Sequence, residues 1–275
     1  MHIKPKKSLG QNFLIDKNIQ AKIIGACNLS RDDIVLEIGS GKGELTAQFA
    51  ALVKQIYALE IDPRLTLGLE QKLGIYGNCQ IIKADILKFD IKKFLQENKI
   101  KQKIKVIGNI PYYISSPIIE HLINYRNNIS QAFMTVQKEF GRRVAAVAGS
   151  KEYGSFSCFV QYYAQAKILF EIKSGCFRPV PKVDSCFLSL KFRDKPDVEV
   201  KDEEIFFKLI RAAFNQRRKT LRNSLSGFIT QKELEEFLNS ARIDKNVRPE
   251  DLSLEQFAGL LKKVKKNLDK PANLV

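Results

Sequence analysis

Histidine is nearly missing from this chain: two in 275 residues, His2 and His121. His121 falls in a helical stretch and reads as a structural residue. Whatever chemistry the protein performs has to manage without an imidazole base, and nothing in the sequence calls for a protein-bound metal. The cysteines are few and scattered. Cys27, Cys79, Cys158, Cys176 and Cys186 are odd in number and form no Cys-x-x-Cys pair. That excludes a zinc ribbon or a disulfide framework and fits free thiols in a reducing cytosol. No apolar run approaches the length of a membrane span. The basic start, Met1 to Lys7, has no apolar stretch behind it, so no secretory signal is expected and the expected location is cytoplasmic. Internal repeats and low-complexity tracts are also lacking.

What is present in excess is positive charge. Lysine and arginine total 46 against 30 aspartate and glutamate, a net charge of +16. Such a surplus favours a polyanionic partner, nucleic acid first, over a merely solvated basic surface. Apolar residues at 44% and charged residues at 28% are ordinary for a globular protein. The length suits one sizeable core plus a small second domain.

Along the first two thirds, short β-rich runs alternate with helical stretches. Strands are expected at 34–38, 55–61, 79–84, 105–110 and 131–137. Helices are expected at 44–53, 63–74 and 115–125. That alternation predicts an α/β architecture: a parallel sheet covered by helices on both faces. Two later strands, 167–173 and 185–192, flank a loop that carries Pro179 and Pro181. Composition changes near Arg193-Asp194-Lys195-Pro196. Helical spacing follows at 203–214, 219–227, 231–241 and 253–268, with Ser253 as a cap and Gln256 reaching back to it. The expected division is a sheet domain over 1–194 and an all-helical domain over 195–275.

The strand at 34–38 is apolar except for Glu37. It runs into Gly39-Ser40-Gly41-Lys42-Gly43, which opens a helix. Glycines there let a ligand approach the backbone. The spacing fits neither a phosphate-binding P-loop nor the Gly-x-Gly-x-x-Gly dinucleotide fingerprint. Glu60 stands about 20 residues on, at the tip of the second strand, where a carboxylate can accept both hydroxyls of a ribose. Asp85 ends the third strand and suits an adenine amine. In a doubly wound sheet these carboxyl ends share one crevice, so Gly39, Glu60 and Asp85 are expected to converge on one ligand.

Asn109-Ile110-Pro111-Tyr112 ends the fourth strand. An amide, a rigid proline and an aromatic make a pocket for a planar base that carries an amine. The exocyclic amine of adenine is a poor nucleophile, because its lone pair is delocalised into the ring. The Asn109 side-chain oxygen and the Ile110 carbonyl can each accept one of its N–H groups and leave the lone pair aimed at an electrophile. Pro111 stiffens the turn and Tyr112 stacks on the base. A strong base is not needed, because the amine becomes acidic as it attacks.

Several blocks together resemble the ribosomal RNA adenine dimethyltransferases, most closely those of the small subunit. The blocks are Lys6-Lys7-Ser8-Leu9-Gly10-Gln11-Asn12-Phe13-Leu14, the glycine loop, Asn109 to Tyr112, Val136-Gln137-Lys138-Glu139, Phe177-x-Pro179-x-Pro181-Lys182-Val183-Asp184-Ser185, and Phe214 to Arg222. They span nearly the whole chain. The resemblance implies a Rossmann-like class I methyltransferase sheet domain with a helical C-terminal domain. It implies S-adenosylmethionine as cofactor, bound at Asn12, Leu14, Gly39, Gly41, Glu60, Ile61, Asp85, Ile86 and Asn109, with the segment around Asn12 to Leu14 closing over it. It implies catalytic roles for Asn109, Pro111, Tyr112 and Phe177, the last sandwiching the adenine opposite Tyr112. The implied partner is the small ribosomal subunit precursor and its RNA, met by a monomer, with neither membrane nor DNA involved and a role in subunit biogenesis. Lys4, Lys6, Lys7, Arg142, Arg143, Arg217, Arg218, Lys219 and Arg222 are candidate phosphate contacts. Lys42 inside the glycine loop and Ala148, where the family more often has proline, depart from the pattern. The glycine loop also resembles that of the large-subunit resistance enzymes, which leaves a large-subunit methyltransferase and a non-catalytic RNA-binding assembly factor as alternatives.

Overall fold

A computed structural model describes residues 4–216 and 219–263. Arg217, Arg218 and the predicted helical residues 264–268 lie outside the described residues. The elements, in chain order, begin with β1 (Phe13–Leu14), α1 (Lys17–Ala26), β2 (Ile34–Ile38), α2 (Glu44–Ala50), β3 (Gln55–Glu60) and α3 (Pro63–Leu73). Next come β4 (Cys79–Lys83), α4 (Ile91–Glu97), β5 (Ile104–Asn109), α5 (Ser115–Asn124), β6 (Ile129–Gln137), α6 (Lys138–Ala145) and α7 (Ser155–Tyr163). The remainder are β7 (Ala164–Ile172), β8 (Phe177–Arg178), β9 (Ser185–Phe192), α8 (Glu203–Phe214), α9 (Leu221–Ser224), α10 (Gln231–Ala241) and α11 (Leu254–Lys263).

Two compact units emerge. The first holds residues 1–141 and 164–194, and the second holds 142–163 and 195–275. In the first, seven strands lie in the order β4-β3-β2-β5-β6-β9-β7. Pairings from β4 through β6 are parallel, as the alternation predicts. The last two strands break that rule: β9 runs antiparallel to both β6 and β7. The stretch between β7 and β9 holds only a 3-10 turn and the short β8, too little for the crossover helix that parallel neighbours require. The order reverses between β2 and β5. Successive strands step outward from β2 one way and from β5 the other, which opens a crevice at their carboxyl ends.

β2 is buried along its whole length, as expected for a central strand covered on both faces. Glu37 sits in its middle. The Glu37 carboxyl is buried beside the hydroxyls of Ser40 and Thr46, which partly offset the cost of its burial. Helix starts are fixed locally. Asp62 caps α3 with Pro63 in its first turn, and Asp90 caps α4. α5 turns Ile118, Ile119, Leu122 and Ile123 inward. A cluster of Val35, Ile23, Phe49, Ile56, Phe133 and Phe187 forms the core on one face, and each such side chain contributes about 1.5–3 kcal/mol on burial.

The second unit is helical. Phe159, Tyr162 and Tyr163 of α7 meet Phe206 and Phe207 of α8 edge-to-face or tilted, at centroid separations from 5.2 to 5.9 Å. Both tyrosine hydroxyls bond Glu203. A reciprocal cap of Thr230 and Glu233 starts α10. The cap expected at α11 is present: the Ser253 N–H donates to Gln256 Oε1 at 2.9 Å, and the Gln256 N–H donates to Ser253 Oγ at 3.3 Å. The helix expected over 219–227 is reduced to the four residues of α9 before the chain turns.

Candidate active site

The crevice at the β2/β5 switch point is a cavity within the sheet unit. Its floor is the glycine loop. Gly39, Gly41 and Gly43 all take positive φ; Gly39 and Gly41 line the crevice, whereas Gly43 abuts Leu69 and Leu73 of α3. The Gly39 N–H donates to the Leu59 carbonyl at 2.8 Å, which ties the loop to β3. A side chain at Gly41 would stand 3.2 Å from the Phe13 ring.

Glu60 ends β3 and is only 4% exposed, yet it lines the cavity. Its Oε2 accepts the Gly41 N–H at 2.9 Å and its Oε1 accepts the Asp62 N–H at 2.9 Å. Burial pushes its carboxyl above the usual range, while the backbone N–H groups of Asp62, Gly41 and Ile61 pull the other way. Ile61, beside it, is 46% exposed. Asp85 follows β4. One of its oxygens accepts the Leu87 N–H at 3.0 Å, and Ile86 packs beneath. Asn109 ends β5, where its Nδ2 donates to the Asn12 carbonyl at 2.9 Å. A carbonyl can only accept, so the amide is oriented and Oδ1 is left as the acceptor. Pro111 and Tyr112 complete that wall, and the Tyr112 hydroxyl meets Ser185 Oγ at 2.6 Å. Burial raises the Tyr112 phenol, which keeps it neutral.

Asn12, Gly39, Gly41, Glu60, Ile61, Asp85, Ile86, Asn109, Pro111 and Tyr112 therefore meet at one cavity. Leu14 and Phe177 do not join its wall. They face each other across the antiparallel β1–β8 pair, 6% and 0% exposed, inside the apolar core. A two-residue ladder on the sheet unit buries both side chains, so Phe177 presents no ring face to a base in this structure. His121 is structural, as the sequence suggests: its Nε2 bonds the Phe89 carbonyl at 3.0 Å.

The wall also holds residues that sequence patterning missed. Leu9, Gly10, Gln11 and Phe13 reach it with the N-terminal segment, and Tyr113, 62% exposed, stands at its edge. Leu9, Gly10, Gln11 and Phe13 fall in the Lys6–Leu14 block without a role of their own in the sequence reading, and the only signal for Tyr113 is adjacency to Tyr112. Among the described residues lining the cavity, the charged ones are Glu60 and Asp85. A wall of acceptors without a cation suits a ligand that is cationic and rich in hydroxyl and amine donors, and it disfavours a pyrophosphate.

A doubly wound sheet with a glycine-loop crevice of this kind defines a class I methyltransferase. The sequence matches the family model for ribosomal RNA adenine dimethylase over residues 2–266, and the chain belongs to that family. It is 44% identical to the ribosomal RNA small subunit methyltransferase A of Caldanaerobacter subterraneus, over 94% of this chain and 96% of that protein. It is 42% identical to the protein of the same name in Oceanobacillus iheyensis, over 94% and 89%. Among solved structures it resembles the 23S rRNA methyltransferase ErmE, with a TM-score of 0.75, 26% identity and coverage of 92% and 99%. A dimethyladenosine transferase from Plasmodium falciparum matches with a TM-score of 0.75, 25% identity and coverage of 91% and 96%.

Proposed function

We propose that this enzyme binds S-adenosylmethionine in the crevice and methylates the exocyclic amines of two adjacent adenines in small-subunit ribosomal RNA, giving dimethyladenosines. The observation that carries the reading is the fixed Asn109 amide, whose Oδ1 stays available at the cavity beside Pro111 and Tyr112. The acceptor wall fits the cofactor. Glu60 suits the ribose hydroxyls, Asp85 the adenine amine, and Gly39 and Gly41 leave room for the methionine portion. The bound cofactor supplies a methyl group on a sulfonium.

The chain's own residues place the nucleophile. Asn109 Oδ1 and the Ile110 carbonyl accept the two N–H groups of the adenine amine, which directs the nitrogen lone pair along the attack line and favours the pyramidal transition state. Tyr112 stacks on the base, its ring fixed through Ser185. With the cofactor bound, the N–C bond would form as the sulfonium's bond to that methyl breaks and its electron pair stays on sulfur, and the acidified amine would pass its proton to water.

Small-subunit RNA is the preferred substrate class because the relatives at 42–44% identity carry that name, whereas the large-subunit enzyme is 26% identical. On this reading the protein works in the cytoplasm as a monomer on a precursor of the small subunit. Lys4 and Lys6, both exposed, precede the cavity wall and suit phosphate contacts. The test is transfer of labelled methyl groups to purified small and large subunits lacking adenine dimethylation, with nucleoside analysis. Dimethyladenosine in the small subunit alone supports the proposal. Label in large-subunit RNA selects the resistance activity, and RNA binding without label selects an assembly factor.

A further inference from the structure

We propose that Gln11, Asp62 and Arg64 form a latch that holds the 9–13 segment across the cavity mouth and sets how fast the cofactor leaves. The proposal rests on reading the cavity as the cofactor site. Gln11 uses both ends of its side-chain amide. Its Nε2 donates to Asp62 Oδ2 at 3.0 Å, and its Oε1 accepts the Lys6 N–H at 2.7 Å. The Asp62 carboxylate is itself held rigidly. It is 1% exposed, and Arg64 grips it with a fork, Nε to Oδ1 at 3.0 Å and Nη2 to Oδ2 at 2.6 Å. The Arg64 N–H adds a third bond to Oδ1 at 3.1 Å. This pairing with Arg64 keeps Asp62 well below the usual carboxylate range, so it is a charged acceptor at any working pH.

The placement gives these bonds their leverage. From Phe13 onward the segment is anchored by the β1–β8 ladder. Upstream of it, Gln11 is pinned just beyond β3 and Asn12 is pinned to Asn109 at the end of β5. β3 and β5 flank β2 on opposite sides, so two consecutive residues bridge the switch point where the ligand sits. The Asp62 N–H also donates to Glu60 Oε1, so the latch acceptor and the ribose carboxylate are two residues apart on one rigid turn. Glutamine suits position 11 because it offers a donor at one face and an acceptor at the other. Glutamate there would lose the donor and set a second carboxylate against Asp62.

The experiment measures S-adenosylhomocysteine binding and dissociation on the full chain by calorimetry and stopped-flow. The proteins are the parent, Gln11→Ala, Gln11→Glu, Asp62→Asn, and Gln11→Ala combined with Asp62→Asn. Gln11→Ala should speed dissociation about 10-fold, the scale of one charge-assisted hydrogen bond, with the melting temperature unchanged. Gln11→Glu should be worse at pH 8 and recover toward pH 5, as the introduced carboxylate takes up a proton. In the double variant the effects should be less than additive, because Asp62→Asn, which also disturbs the Arg64 fork and the α3 cap, takes the charge from the one bond that Gln11→Ala removes. Unchanged dissociation in Gln11→Ala, or additive effects in the double variant, would overturn the latch. If the parent itself fails to bind, the cofactor-site reading falls and takes the latch with it. If the parent binds while Gln11→Ala behaves like the parent, only the latch falls.

Discussion

The side-chain amide of Asn109 donates to the main-chain carbonyl of Asn12 at 2.9 Å, across 97 positions of sequence. The bond does two things. It draws the N-terminal segment over the end of β5, and it leaves Oδ1 as the acceptor end of an amide that lines the cavity. On the proposed reading, substrate geometry depends on a segment that makes no contribution to the main sheet.

Asn109→Ala should abolish transfer while sparing RNA binding. Asn109→Asp should also be poor, because a carboxylate cannot donate to the Asn12 carbonyl. Loss of one positioned transition-state interaction costs about 100- to 1,000-fold in rate. Single-turnover transfer from labelled cofactor, beside filter binding of RNA, checks this. Transfer at parental rates would remove Asn109 from its assigned role.

Tyr112 separates ring from hydroxyl. Tyr112→Phe keeps the stacking face and gives up the bond to Ser185, so kcat/KM should fall by less than about 10-fold. Tyr112→Ala loses the face as well and should cost about 5- to 150-fold more, the range for base–aromatic stacking. Steady-state kinetics on RNA substrate tests the order. Equal losses would mean that the hydroxyl, not the ring, is what matters.

Glu37 makes stability depend on pH. Burial in the middle of β2 pushes its carboxyl from the usual 4.5 up to about 7. Between those values the folded chain holds a proton that the unfolded chain has released. The stabilisation is therefore fully present below pH 4.5 and is lost as pH rises through 7. Such a rise converts to on the order of 3 kcal/mol. Glu37→Gln, neutral at every pH, should flatten that part of the curve and melt higher than the parent at pH 8. Urea unfolding from pH 4.5 to 8 measures it, and parallel curves for the two proteins would show that Glu37 is not the group responsible.

Changing Arg217 and Arg218 together to Glu should weaken binding to small-subunit RNA. The slope of log affinity against log salt should fall by about 0.9 for each phosphate that the protein no longer neutralises. Binding titrations from about 50 to 200 mM salt decide it. An unaltered slope would place the RNA on other basic residues.

Much of the site is legible in sequence because strand ends in a doubly wound sheet share one crevice. Glycines after β2, a carboxylate after β3, another after β4 and an amide after β5 are each set by a local pattern, and topology does the rest. Gln11 and Asp62 show where that logic stops. Their hydrogen bond joins positions 51 apart, and neither lies in an element whose periodicity could announce it. The burial of Leu14 and Phe177 is illegible for the opposite reason. A motif names them as ligand contacts, but a two-residue ladder is invisible to pattern, and that ladder turns both side chains into the core. The antiparallel direction of β9 lies outside the alternation, which ends at β6; its cue is the lack of a crossover helix between β7 and β9.

The helical unit is discontinuous, and this has a consequence for synthesis. Chain emerging from the N-terminus delivers every strand of the sheet by residue 192, so that unit can close early. α7 has by then been made, with Phe159, Tyr162 and Tyr163 facing partners that do not yet exist. Only when α8 follows can those rings be covered. During translation the nascent chain carries an exposed aromatic stripe for the time taken to add about 40 residues, a few seconds at ordinary elongation rates. In that interval the uncovered rings offer an apolar surface for chaperone capture and aggregation.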